Sequence, residues 1–347
     1  MYLRNAWYVA AWGEEIGSAP LGRTLLGEPV VLYRGADGKA VALADRCCHR
    51  GLPLSMGRVE GDRIRCGYHG LVFDPQGICV EVPGQPKIPP DAAVRAYPVV
   101  ERWHMLWIWM GDPGQADPAA IPNWWWLDHP EWKLIPGNGS KPIPTRCNYE
   151  MVVDNLLDLS HLTFVHTSTI GNDEIVRFPV RTEREANRVR MIRLMPNIEP
   201  SPFYKLAGCF KGNVDRWQVV EAILPCHVDV DVGCTEPGLG ALEGNRNQGT
   251  AFHAIQNPTP ETEKTCHFFY GHARRFRLDD PEIDEVYRRD FKTVFMEDVV
   301  IMEAQQRVVD TSPGFQPIDI NVDAPSLTMR RMLRERIDAE QAGARIS

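Results

Sequence analysis

Residues 47–70 read CCHRGLPLSMGRVEGDRIRCGYHG. Two Cys–His pairs lie inside this stretch, Cys47-x-His49 and Cys66-x-x-His69, with sixteen residues between them. Gly51, Gly67 and Gly70 permit the tight backbone that short ligand loops need. Two thiols and two imidazoles at such spacing form a metal-ligand set, and a tetrahedral Cys2His2 zinc site uses the same donors. Zinc fingers, however, usually pair Cys with Cys and His with His. Here each loop supplies one of each. Mixed pairs suit a two-iron cluster in which both thiolates bind one iron and both imidazoles the other. Spacing alone leaves zinc open.

The chain has 347 residues, long for one domain and comfortable for two. Its hydrophobic fraction of 44% and charged fraction of 24% are those of an ordinary globular protein. A net charge of −8 offers no bulk attraction for nucleic acid. No run of about 18 apolar residues is present, so no membrane helix is expected. The opening MYLRNAWYVAAWGEEIG lacks the signal-peptide pattern. Those features together point to the cytoplasm. Nine cysteines, an odd number, do not suggest a disulfide framework. Cys79, Cys147, Cys209, Cys226, Cys234 and Cys266 are scattered and read as small buried hydrophobes.

The fold class expected is α+β. Short runs rich in β-branched and aromatic residues, TLLGEPVVLYRG and HMLWIWMGD among them, make residues 1–115 a β-rich unit. A Pro- and Gly-rich stretch follows and reads as a connector. Its Trp124-Trp125-Trp126 run is expected to pack between domains or between subunits. Residues 116–347 form the second domain. Strand-like segments across 175–275 should build a larger antiparallel sheet, and helices close the chain.

A second constellation lies in DNLLDLSHLTFVH, residues 154–166. Asn155, Asp158 and His161 are i,i+3 neighbours and would form a polar line on an otherwise apolar helix. His166 falls about 140° round an ideal helix from His161. The two imidazoles therefore converge only if a π-turn or an early helix end intervenes. A satisfied core histidine is the bland alternative. Two His with one carboxylate make the facial triad of a non-haem Fe(II) site, which leaves positions open for O2 and substrate. FMEDVVIME, residues 295–303, offers that carboxylate. Asp298 sits among apolar neighbours, and spacing does not choose between it and Glu297.

These motifs carry a resemblance. C-x-H-x16-C-x-x-H, Arg50 after the first His and GYHGLVFDPQG after the second Cys resemble the Rieske family. N-x-x-D-x-x-H-x4-H at Asn155, Asp158, His161 and His166 is similar to the motif of the Rieske non-haem iron aromatic-ring oxygenases. NAWYVAAW, VDRWQ, EGNRNQG and TPETEKTCHFFYG resemble the vanillate O-demethylase and dicamba monooxygenase type, with toluenesulfonate methyl-monooxygenase similar.

The resemblance covers nearly the whole chain. It implies a Rieske [2Fe-2S] domain over 1–115 and a helix-grip-like catalytic domain with a mononuclear iron over 116–347. By the same resemblance Cys47, His49, Cys66 and His69 would hold the cluster. Cys48, which stands where the family often has Pro, would be a bystander. His161, His166 and Asp298 would hold the second iron. Asp158, with Asn155 beside it, would link that iron to a cluster of the neighbouring subunit in a head-to-tail homotrimer.

The implied reaction is O2- and NAD(P)H-dependent O-demethylation of a small methoxylated aromatic acid, served by a flavin and iron–sulfur reductase. Methyl-group hydroxylation or ring dihydroxylation of another aromatic acid is the enzyme alternative. An electron carrier or zinc-stabilised binding module is the non-enzyme one. For the pocket, AFHAIQNPTPETE places His253, Ile255 and Asn257 on one strand face and Ala254 and Gln256 on the other. A carboxylate-holding His of the dicamba enzyme falls on Gln256 here. His253 and Asn257 are the neighbouring candidates, and a structural strand histidine is the bland reading for His253.

Overall fold

The computed structural model describes residues 1–343. Contacts divide the chain into two compact units, residues 1–121 with 259–263, and the remainder from 122 onward. Helix and antiparallel sheet are mixed, the α+β class expected.

The first unit is built from three small sheets. The runs WYVAAW (Trp7–Trp12) and MLWIW (Met105–Trp109) are buried along their whole length and pair antiparallel. Apolar runs without alternation mark strands covered on both faces. In the four-stranded sheet, Ile64 and Phe73 pack with Val31, Tyr33, Leu43 and Leu54 in one apolar cluster. Cys47 and Cys66 belong to that same cluster, so both ligand loops leave the sheets at the edge of the core. Residues 259–263 join this unit through backbone bonds, Leu26 N–H to the Pro260 carbonyl at 2.9 Å and Gly27 N–H to Glu261 at 2.8 Å.

The second unit is organised by an eight-stranded sheet. Its strands run in the order Lys133–Pro136, Thr265–Arg274, Phe252–Thr262, His227–Thr235, Val214–Ile223, Arg188–Ile198 and Arg181–Arg184, with Ile143–Thr145 also pairing to Thr265–Arg274. The stretch expected to be a connector therefore contributes two strands to this sheet. The Trp run packs within the unit as well. Trp124 is buried, Trp126 stacks on His253 with ring centroids 4.2 Å apart, and Trp125 is 48% exposed.

Among the described residues six helices complete the unit: α1 (Tyr149–Leu157), α2 (Leu162–Val165), α3 (Pro202–Gly208), α4 (Pro281–Val286), α5 (Lys292–Thr311) and α6 (Ala324–Gln341). A π-turn at Tyr287–Phe291 joins α4 to α5. Asn148 caps α1 by accepting the Glu150 N–H at 2.8 Å. Among the described residues no helix is long and apolar enough to cross a membrane. Cys209 is exposed, unlike the buried hydrophobe expected, because it sits at the left-handed C-cap of α3.

Candidate metal centres and substrate pocket

The two loops of the first constellation share one backbone pattern. Cys47 N–H donates to the Leu52 carbonyl and Gly51 N–H returns to Cys47, both at 2.9 Å. Cys66 N–H donates to Leu71 at 2.8 Å and Gly70 N–H returns to Cys66 at 3.2 Å. Each loop turns through a glycine of positive φ four residues after its Cys, Gly51 at 77° and Gly70 at 74°. A side chain there would strain the backbone. Cys47 and Cys66 are buried and free of disulfides, whereas His49 and His69 are exposed with ring centroids 4.4 Å apart. Burial pushes the Cys47 thiol up to about 11, and Cys66 beside it adds to the rise. Two buried thiols that are not joined to each other, with two imidazoles at the surface, fit a cluster whose sulfur-ligated iron is inside. Cys48 is exposed.

The second constellation depends on a helix break. α1 ends at Leu157, and Asp158 takes extended backbone angles (φ −118°, ψ 91°). Asn155, Asp158 and His161 therefore do not share one continuous helix. The break falls before His161, earlier than the point between the two histidines where it was expected, and no π-turn occurs there. Asp158 stabilises the break by accepting the Ser160 N–H at 2.8 Å. The four residues between α1 and α2, 158–161, then bring His161 and His166 round to the same side.

His161, His166 and Asp298 meet, with one ligand atom from each within 4.8 Å of the others. Asp298 Oδ1 lies 3.1 Å from His166 Nε2, 3.4 Å from His161 Nε2 and 3.2 Å from Asn155 Nδ2. The opposite ring nitrogens are held from behind. His161 Nδ1 lies 2.5 Å from the Asp158 carbonyl, and His166 Nδ1 lies 2.7 Å from Glu297 Oε2. Each Nδ1 proton then has an acceptor, and each Nε2 lone pair is left for a metal. Burial lowers the His161 pKa. For His166, burial works in the same direction, but Asp298 and Glu297 outweigh it and raise the value. Two neutral nitrogens and one buried carboxylate fit a divalent iron.

The donors open onto a cavity of about 550 Å3, mouth included. One wall is helical, with Leu156, Leu162 and Phe295, and the other is the sheet. Sheet register places the inward residues in rows: Met191, Val220, Val230 and Ala254; Arg193, Gln218, Val232 and Phe252; Met195, Arg216 and Cys234. Gln256 stands in the row of Val228 and also lines the cavity.

His253 and Asn257 lie on the other face, which corrects their assignment to the pocket. His253 Nδ1 sits 3.0 Å from both Asp229 oxygens and stacks on Trp126. Asn257 Oδ1 is 2.7 Å from His227 Nδ1. The pocket residues that sequence reasoning missed are Arg216 and Gln218. Their signal was present, since each interrupts the inward apolar period of a strand that continues with Val220 and Ala222.

Two such centres on this fold define a Rieske non-haem iron oxygenase, and the chain belongs to that family. Residues 6–98 match the Rieske [2Fe-2S] domain, and residues 145–339 match the vanillate O-demethylase oxygenase C-terminal domain. It is 42% identical over 348 residues to the iron-sulfur subunit of a toluene-4-sulfonate monooxygenase system from Comamonas testosteroni, with 99% of each chain covered. It is 38% identical over 351 residues to a vanillate O-demethylase oxygenase subunit of a Pseudomonas species, covering 99% of this chain and 97% of that one. The crystal structure of dicamba monooxygenase bound to dicamba superposes with a TM-score of 0.90 at 34% identity, over 98% of this chain and 99% of the other. The cofactors are a Rieske [2Fe-2S] cluster and a mononuclear non-haem iron.

Proposed function

We propose that this chain is the terminal oxygenase of a monooxygenase system that O-demethylates a small methoxylated aromatic acid of the vanillate kind. O2 is the co-substrate, and a separate NAD(P)H-dependent reductase supplies electrons. The observation that carries this reading is the placement of His161, His166 and Asp298 at a largely apolar cavity.

On this reading Cys47 and Cys66 hold one iron of the cluster and His49 and His69 the other. His161, His166 and Asp298 hold the mononuclear iron. When bound, the cluster supplies single electrons and the mononuclear iron activates O2 for insertion into a C–H bond. The protein's own residues do the rest. Glu297 and the Asp158 carbonyl fix the two imidazole rings, and Asn155 holds Asp298. The apolar walls exclude water from the reacting carbon. Hydroxylation of a methoxy carbon yields a hemiacetal, which collapses to a phenol and formaldehyde.

The assembly proposed is a head-to-tail homotrimer in which Asp158 of one protomer faces a cluster histidine of the next. Support comes from Asp158 itself, which remains partly exposed at the helix break beside the metal ligands.

A second reading, hydroxylation of a ring methyl group, is favoured by the 42% identity to a toluene-4-sulfonate monooxygenase subunit. Oxygen uptake with a reductase and NADH, run on methoxy- and methylbenzoates, separates the two. Formaldehyde equal to oxygen consumed supports demethylation, and a benzylic alcohol supports methyl hydroxylation. A colourless, zinc-loaded protein without oxygen uptake overturns both.

A further inference from the structure

Arg216 lines the cavity and is 1% exposed. Its Nη2 donates to the Ile170 carbonyl at 3.1 Å, and its guanidinium lies over the Tyr204 ring, 4.8 Å from the centroid. Nε and Nη1 have no partner among the described residues, and no carboxylate there pairs with the charge. A buried guanidinium without a counter-ion is costly, and an aromatic face offsets only part of the cost.

The nearest inward neighbour on the strand repeats the pattern. Gln218 is fully buried, its Oε1 accepts from Arg193 Nη1 at 3.4 Å, and its Nε2 has no partner. The Arg193 bond orients this amide, so the free NH2 is the end left for a ligand. A guanidinium with two unpartnered nitrogens and an amide donor, set in a largely apolar chamber, are the complement of an oxyanion.

We propose that Arg216, assisted by Gln218, recognises the acid group of the substrate, an aromatic carboxylate or sulfonate. The metal ligands come from the helical wall and Arg216 from the sheet. An acid group held at Arg216 therefore leaves the remote substituent of the ring to face His161, His166 and Asp298. Arg216 is a specificity-determining residue in this scheme and takes no part in the oxidation. The inference rests on the proposed function in taking an aromatic acid as substrate, and it names the residue that selects the charge.

The test is calorimetric titration of the iron-loaded enzyme with 4-methoxybenzoate, toluene-4-sulfonate and the neutral 4-methoxybenzamide. The native protein should bind at least one anion about 10-fold or more tighter than the amide, as a charge-assisted pair implies. Arg216→Gln should lose about 10- to 100-fold in affinity for that anion and little for the amide, with iron content and cluster absorbance unchanged. Arg216→Lys, which keeps the charge but not the fork, should fall between. The preferred anion tells carboxylate from sulfonate.

Equal binding of amide and anions by the native enzyme overturns the proposal and needs no variant. Native anion affinity in an iron-replete Arg216→Gln also overturns it. Anion binding that depends on Arg216 without formaldehyde release would instead count against demethylation and leave this inference standing.

Discussion

His166 Nδ1 lies 2.7 Å from Glu297 Oε2, and its Nε2 lies 3.1 Å from Oδ1 of Asp298, the next residue along α5. Both ring nitrogens face a carboxylate, so a metal held through Nε2 beside Asp298 would leave Nδ1 to carry the proton and donate it to Glu297. One helix thus supplies a carboxylate to the metal centre and a second to orient a histidine. Glu297→Ala should weaken iron binding about 10- to 100-fold, the usual effect of removing an outer hydrogen-bond partner. Iron retained against a graded chelator measures this, and the cluster absorbance should not change.

Removal of Asp298 acts on one centre only. Asp298→Ala should lower the iron content from about three to about two per chain, because the Rieske cluster keeps its pair. The red-brown colour and labile sulfide should persist while oxygen uptake is lost. Loss of the visible spectrum would show that the two centres do not form independently.

Cys47 and Cys48 are adjacent but differ in burial. Cys47→Ala should abolish the cluster, and Cys48→Ala should keep it, as read by visible absorbance and labile sulfide. The reverse outcome would move the ligand assignment by one residue.

Asp158 provides a test of the assembly. Asp158→Asn should load both metals yet turn over poorly, and Cys47→Ala should also turn over poorly, for want of a cluster. Co-expressed, the two variants should regain activity, since some sites in a mixed head-to-tail trimer combine an intact cluster with an intact Asp158. No recovery in proven mixed trimers would sink the trans arrangement.

His272 is buried in a ring of aromatic side chains, among them Phe291 at 4.2 Å and Tyr287 at 5.2 Å. Burial pushes its pKa down to about 3. The unfolded chain binds a proton near pH 6.5 while the folded one does not, so this group costs stability as pH falls from there. The slope from this single group is about 1.4 kcal/mol per pH unit. Denaturant unfolding of His272→Phe between pH 6 and 4 should show a shallower acid loss than the native protein.

Both metal constellations were legible as patterns of residues, for different reasons. The cluster loops are local, and a Cys, a His and a glycine within five positions already define each turn. The late carboxylate was legible only as a pair. Asp298 is 4% exposed and faces the histidines, while Glu297 is partly exposed and faces the back of His166. Adjacent residues on a helix point about 100° apart, and neighbouring packing decides which one turns inward. The break at Asp158 was misplaced because the apolar periodicity of Leu156 runs on through Leu159 and Leu162, and all three are buried.

The pocket was the least legible part. Period-two alternation separated Gln256 from His253 and Asn257 correctly, but it does not say which face looks onto the metal. That choice depends on the covering layers. Trp126 and Trp132 occupy the His253 side, and the metal-bearing helices occupy the other. Arg193, Arg216 and Gln218 are polar residues in apolar rows. Only cross-strand register, which aligns Arg193 with Gln218, brings them together.

By itself the sequence determined the two Cys–His loops, the paired histidines of the second constellation, the α+β class and the family resemblance, because these rest on residue chemistry at short spacing and on local periodicity. Tertiary structure decided which carboxylate meets the histidines, where the helix breaks to let them converge, and which strand face lines the pocket. Each of those is a long-range contact between segments far apart in the chain. The energy that selects among the local alternatives comes from packing across that separation.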